Sequence, residues 1–183
     1  MECEKALYET KREVRMLKKI LNYQEKYLFQ IENFNASSNA IVYCNHNYEK
    51  IIAVQTEFSK VRQLKSFYFA LYGMKNFRNF GYLDIKVTDK YLNIENLIIH
   101  TGYENKGYGS LLLGESLYYL ASLFGTKVKI QGVLSSIDEQ DPENHMRRDR
   151  VYQKFGFEIK DHHIYLEGIS LDKIAEERKK WNK

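Results

Sequence analysis

Ile94-Glu95-Asn96-Leu97-Ile98-Ile99-His100-Thr101-Gly102-Tyr103-Glu104-Asn105-Lys106-Gly107-Tyr108-Gly109-Ser110-Leu111-Leu112 runs from an apolar segment, through closely spaced glycines, into a leucine-rich one. A strand that turns directly into a helix leaves several backbone N–H groups without intrahelical partners, all near one point. Those donors, with the positive end of the helix, attract an anion. Glycine at 107 and 109 removes the side chains that would keep a diphosphate away from the backbone. Two glycines alone also suit an ordinary turn. The spacing is not that of a Walker loop, which needs Gly-Lys-Ser or Gly-Lys-Thr, nor that of the three-glycine dinucleotide fingerprint. Lys106 precedes its glycine and is not a Walker lysine.

Working outward, Leu113, Leu117, Leu120 and Phe124 step at helical spacing, and Gly125 supplies a stop, so a helix is expected from Gly107 to Phe124. Upstream, Gly81 to Val87 and Tyr91 to His100 read as an antiparallel hairpin turned by Thr88, Asp89 and Lys90, with strand character starting at Phe67. Further back, Ala40 to Cys44 is expected as a strand, and Tyr48 to Gln63 as a helix carrying Ile51, Ile52, Val54, Phe58 and Val61. Downstream, Val128 to Val133 reads as a strand. A second helix should open with Asp141 as N-cap and Pro142 in the first position, ending before Gly156. Two short strands are expected at Phe157 to Ile159 and His163 to Leu166, then a charged closing helix from Leu171 to Trp181.

Residues 1 to 32 read as a separate amphipathic helix, because Leu7, Val14, Leu21 and Leu28 recur every seven positions with Leu17 and Ile31 between them. Thr10 and Gln24 interrupt the second row. The helix is therefore expected either to pack on its own domain or to pair with a second copy, giving a homodimer. The small polar residues 33 to 39 read as a linker, and 40 to 183 as the folded domain.

The 183 residues suffice for one core, and 44% hydrophobic with 14% aromatic residues argues against disorder. No run of about 18 apolar residues is present, so no membrane span is expected, and a charged N-terminus without a signal stretch points to the cytoplasm. Cys3 and Cys44 are too few for a disulfide framework. His162, His163, Cys44 and His46 lack recognised ligand spacing, so no metal is expected. The net charge of +4 is mild, without the dense basic stripe of a nucleic-acid binder.

The stretch Ile94 to Leu112 resembles the central motif of GNAT N-acetyltransferases, an apolar strand followed by R/Q-x-x-G-x-G/A and a leucine-rich helix. Val151-Tyr152-Gln153-Lys154-Phe155-Gly156-Phe157 is similar to the closing motif of the same family. The resemblance covers Ala40 to Gly168, and its motifs lie between Tyr91 and Ile159. Glu104 stands where the family has Arg or Gln, and Thr101 where proline is frequent. The resemblance implies an α+β (mixed α/β) GNAT acyltransferase fold: a central, mostly antiparallel mixed sheet flanked by helices, with the N-terminal helix as an addition.

It also implies acetyl-CoA as cosubstrate and a small amine or peptide as acceptor. The diphosphate would lie on the main chain of Glu104, Asn105, Lys106, Gly107, Tyr108, Gly109 and Ser110. The pantetheine arm would pair with Leu97, Ile98 and Ile99 and meet Asn144. Tyr152 would be the general acid toward the CoA sulfur, and Glu95 would accept the amine proton directly or through water. Each role has a plainer counterpart: Glu95 as a solvated strand residue, Tyr152 as a structural tyrosine. Asn144, Arg148 and Tyr152, spaced by four, share a helix face. Arg147, Arg148 and Arg150 read first as a solvated basic turn, with phosphate contact as the alternative. A non-catalytic module of the same fold, binding CoA or a partner, is the rival reading.

Overall fold

The computed structural model describes residues 39–44, 50–58, 64–73, 78–135 and 141–181. The helix expected over residues 1 to 32, and the linker up to residue 38, lie outside the described residues. In chain order these hold β1 (Asn39–Cys44), β2 (Lys50–Phe58), β3 (Leu64–Gly73), β4 (Arg78–Val87) and β5 (Leu92–Ile99). Then come α1 (Tyr108–Phe124), β6 (Ile130–Val133), α2 (Pro142–Lys154), β7 (Glu158–Lys160), β8 (His163–Leu166) and α3 (Leu171–Trp181). One sheet takes all of these strands in the order β1-β2-β3-β4-β5-β6-β8-β7. Its neighbours are antiparallel except β5 and β6, so the expected mostly antiparallel mixed sheet is found.

The expected helix between Tyr48 and Gln63 is overturned: Lys50–Phe58 is strand β2. Ile51, Val54 and Phe58 are spaced as on a helix face, but Ile51, Ile52, Val54 and Thr56 are β-branched, a residue type that packs better on a pleated surface. The neighbours settle the contest. Ile52 pairs with Tyr43 on one side and Leu71 on the other, and its side chain is fully buried.

Alternation on β3 sends Phe67, Phe69 and Leu71 to the face covered by α1. There Tyr119 meets Phe67 and Phe69 edge-on, at centroid distances of 6.4 and 5.9 Å. Leu112, Leu113, Leu117 and Leu120 of α1 complete the buried layer. Each such side chain contributes at most about 1.5–3 kcal/mol by burial. Gly114 leaves room for Phe155, whose ring atoms would lie 2.9 Å from a Cβ at that position.

Two bulges shape the part of the sheet that matters for function. Between the pairs Leu71 with Gly81 and Tyr72 with Asn79, Phe80 is the extra residue of β4. Between Asp84 with Asn96 and Ile85 with Ile94, Glu95 is the extra residue of β5. The second bulge resets the alternation: Leu92 and Ile94 are buried before it, while Leu97 and Ile99 pack on the core after it. Bulges also bend a strand, and β5 parts from β6 at this point. Their parallel pairing joins Leu92, Asn93 and Ile94 to Ile130, Gln131 and Gly132 and goes no further. Gly132 is required where the strands separate, since a Cβ there would lie 2.7 Å from the carbonyl oxygen of Ile94. Among the described residues, the strand from Glu95 to Ile99 pairs with β4 alone.

Candidate functional site

The glycine turn fills the gap between the freed end of β5 and α1. Asn105 (φ 58°) and Gly107 (φ 77°) are both in the left-handed region, which asparagine tolerates and glycine adopts without cost. Gly107 is the N-cap of α1 and gives it no side-chain cap, and no acid occupies the first turn. The Leu111 N–H donates to the Gly107 carbonyl at 3.1 Å, closing the first helical hydrogen bond. The helix therefore starts with its leading amides uncapped by any described side chain. Gly109 is a different case. A Cβ there would lie 3.5 Å from Val151 Cγ2 and 3.7 Å from Ile99 Cγ1, ordinary contact distances. The protein's own packing does not call for glycine at 109, and its lack of a side chain leaves the backbone bare to the cleft.

Phe80 fixes the turn from the sheet side. The bulge carries its ring against Tyr108 (5.0 Å, interplanar 11°) and Tyr103 (4.4 Å). Offset aromatic contacts of this kind add about 0.5–1.5 kcal/mol each beyond burial.

The turn, the freed edge of β5 and one face of α2 enclose a cleft of about 450 Å³. Of the residues expected at the site, it gathers Leu97, Ile98, Ile99, Glu104, Asn105, Gly107, Tyr108, Gly109, Ser110 and Asn144. Lys106 is not among the lining residues: its Nζ donates to the Gly102 carbonyl at 2.7 Å and lies over the Tyr103 ring. Glu95 also lies outside the lining, exposed at the bulge, where it accepts a hydrogen bond from Asn93 Nδ2 at 2.6 Å. Tyr152 is 4% exposed and packs edge-on against Phe157 within the core. It follows Val151, which lines the cleft. Asp141 caps α2 as expected, accepting from the Glu143 and Asn144 N–H groups.

The cleft also takes in Tyr103, Arg147, Arg148, Arg150, Val151 and Lys154. The sequence reads the arginines first as a solvated turn and assigns Val151 and Lys154 no role. Helical spacing is the available signal, since 144, 147, 148 and 151 recur as one stripe.

The charges are specifically placed. Glu104 Oε2 accepts the Gly102 N–H at 2.6 Å. Hydrogen bonds from its own backbone N–H, and from those of Gly102 and Tyr103, hold this carboxyl below the usual glutamate range, with Arg147 adding to the effect. The carboxylate thus clasps the turn at 102–104 and is not the cap of α1. Arg147 Nη2 donates to Asn144 Oδ1 at 3.1 Å, and Arg148 is held by Asp149. Lys154 Nζ donates to Ser110 Oγ at 3.0 Å, joining the end of α2 to the first turn of α1.

A cAMP-binding acyltransferase from Mycobacterium smegmatis, in a mutant form, superimposes over 79% of this chain and 52% of its own, with a TM-score of 0.53 and 7% identity. The chain has the GNAT acyltransferase fold. Similar solved structures include a protein assigned to the GNAT acetyltransferase family from Desulfovibrio desulfuricans, at 15% identity over 56% of this chain and 69% of that one (TM-score 0.45). Another is the PaiA N-acetyltransferase from Thermoplasma acidophilum in complex with coenzyme A, at 14% identity over 58% and 62% (TM-score 0.45). This chain spans about half of the M. smegmatis protein and under two thirds of the T. acidophilum one. No family model and no curated protein matches the chain. Among the described residues, no helix is long and apolar enough to cross a membrane.

Proposed function

We propose that this chain is an acetyl-CoA-dependent N-acetyltransferase, moving the acetyl group to a primary amine by direct attack in a ternary complex. One observation carries the reading: an uncapped, glycine-lined helix mouth opens onto the cleft beside a strand edge freed from its neighbour. The first feature suits a diphosphate. The second suits an extended chain bearing amides, which can pair with Leu97, Ile98 and Ile99 as an added strand would. The cleft volume lies within the range of small-molecule sites.

In this reading the amine nitrogen attacks the thioester carbonyl carbon, and a backbone N–H of the β5 edge steadies the oxyanion. The C–S bond then breaks as the amide forms. Glu95, at the bulge where β5 leaves β6, takes the proton lost by the amine, directly or through water. Tyr152, buried behind the α2 wall of the cleft, supplies the proton to the departing thiolate. The acceptor is a small amine or a peptide.

A second reading, a non-catalytic CoA-binding module, is favoured by one fact: Glu95 and Tyr152 are not among the cleft-lining residues. Calorimetric titration with acetyl-CoA, followed by thiol release in the presence of amines, polyamines, amino acids and peptides, separates the two. Binding with thiol release supports the enzyme; binding without release across the panel supports the module; no binding ends both.

A further inference from the structure

The turn carries a carboxylate where an anionic ligand is expected, and its own lysine points away. Glu104 clasps Gly102, and Lys106 is spent on the Gly102 carbonyl outside the cleft. Of the other cations lining the cleft, Arg147 is tied to Asn144, Arg148 to Asp149 and the Ser135 carbonyl, and Arg150 is exposed, with no hydrogen bond or ion pair to the first turn of α1 among the described residues. Lys154 differs. Its Nζ lies 3.0 Å from Ser110 Oγ, in the first turn of α1, while Ser110 itself is 2% exposed. Behind it stands Glu177 of α3, at 3.8 Å, which is mostly buried and also paired with Lys180. Lys154 keeps about two fifths of its side chain exposed and lines the cleft beside Gly107, Gly109 and Ser110.

We infer that Lys154 is a diphosphate-binding residue, the cation that meets the ligand's charge at the helix mouth in place of the side chain that position 104 does not supply. The inference rests on the cofactor reading above. Its physical content is local. The ammonium is already bonded to Ser110 Oγ in the first turn of α1, so an anion seated on the amides of that turn would come within reach of Nζ without rebuilding α2. A charge-assisted hydrogen bond would form there in partial exchange for the one to the neutral Ser110 hydroxyl. Recognition by Lys154 should therefore follow the diphosphate and be indifferent to the pantetheine arm.

The test is calorimetric titration of wild type, Lys154→Gln and Lys154→Arg with CoA, 3′-dephospho-CoA and pantetheine, with melting curves to verify folding. Lys154→Gln should bind CoA and 3′-dephospho-CoA about tenfold more weakly, with pantetheine unchanged, while Lys154→Arg should restore most of the loss. If Lys154→Gln binds CoA as wild type does, or weakens pantetheine equally, the assignment fails. A loss for CoA that disappears with 3′-dephospho-CoA would also overturn it, by placing the lysine on the 3′-phosphate. A wild-type protein that binds none of the three would instead refute the cofactor reading. Should Lys154→Gln melt far below wild type, Lys154→Met, which keeps the length of the stem and removes the charge, decides with the same ligand series: selective loss of CoA and 3′-dephospho-CoA supports the role, and wild-type affinity for both overturns it.

Discussion

Arg178 of α3 reaches across to Glu115 in the middle of α1, and its Nε donates to Glu115 Oε1 at 2.7 Å while Nη2 engages Oε2. Glu115 is 2% exposed, and the guanidinium also lies 3.9 Å from the centroid of Tyr118. The carboxylate sits on the leucine-rich helix that starts at the glycine turn, so its neutralisation bears on the site. Hydrogen bonding to Glu115 holds the Arg178 pKa above its already high ordinary value. Arg178→Ala leaves a buried carboxylate without its partner. Because the arginine is itself one third exposed, water enters in its place and the loss should be about 2–3 kcal/mol, below the full cost of a deeply buried pair. Urea unfolding of both proteins measures it.

Glu104 gives a pH signature. Its carboxyl titrates below the usual glutamate range because hydrogen bonds from its own N–H, Gly102 and Tyr103 favour the charged form. A lowered folded-state pKa means that the clasp is fully present above the ordinary carboxylate range and is lost as pH falls through the depressed value. The Gly102 amide proton, followed by NMR, should therefore shift with a midpoint below that of a free glutamate. In Glu104→Gln the same resonance should show no such transition.

Gly109→Val separates folding from binding. The Cβ meets Val151 and Ile99 at ordinary distances, and valine costs the helix no more than glycine does. The melting temperature should stay within a few degrees of wild type (about 1 kcal/mol or less). The branched methyls occupy the bare backbone of the cleft, so affinity for CoA should fall at least about tenfold, roughly 1.4 kcal/mol. Equal affinity would mean that the ligand does not approach the main chain at 109.

Tyr152→Phe tests the proton donor. Turnover should drop about 100-fold, the lower end for a general acid, with CoA affinity unchanged. The hydroxyl's structural share should cost about 1 kcal/mol, which melting curves record apart from the rate. Turnover equal to wild type would remove Tyr152 from the proton path.

Much of this architecture was legible because local signals and tertiary packing agree. Asp141 and Pro142 announce α2, and Leu113, Leu117 and Leu120 announce α1, which buries the face that their spacing selects. The stretch around Ile52 reads as a helix because a strand flanked on both sides by other strands buries side chains without a period-2 signature. Neither bulge is foreseeable. Phe80 and Glu95 become extra residues only through the register of their partner strands, so the reset that turns Leu97 and Ile99 inward is invisible too. Lys154 is hidden for a similar reason: nothing local to Gln153-Lys154-Phe155 reports that Ser110 lies 3.0 Å away.

Among the described residues, the three residue pairs joining β5 to β6 are the sole ladder between the meander formed by β1 to β5 and the leaf formed by β6 to β8. A hinge so short makes the division of the sheet a mechanical property as well as a topological one. Among the strands, a ligand in the cleft would therefore rest on the β5 side of that division alone, since β6 to β8 contribute no residue to the cleft wall.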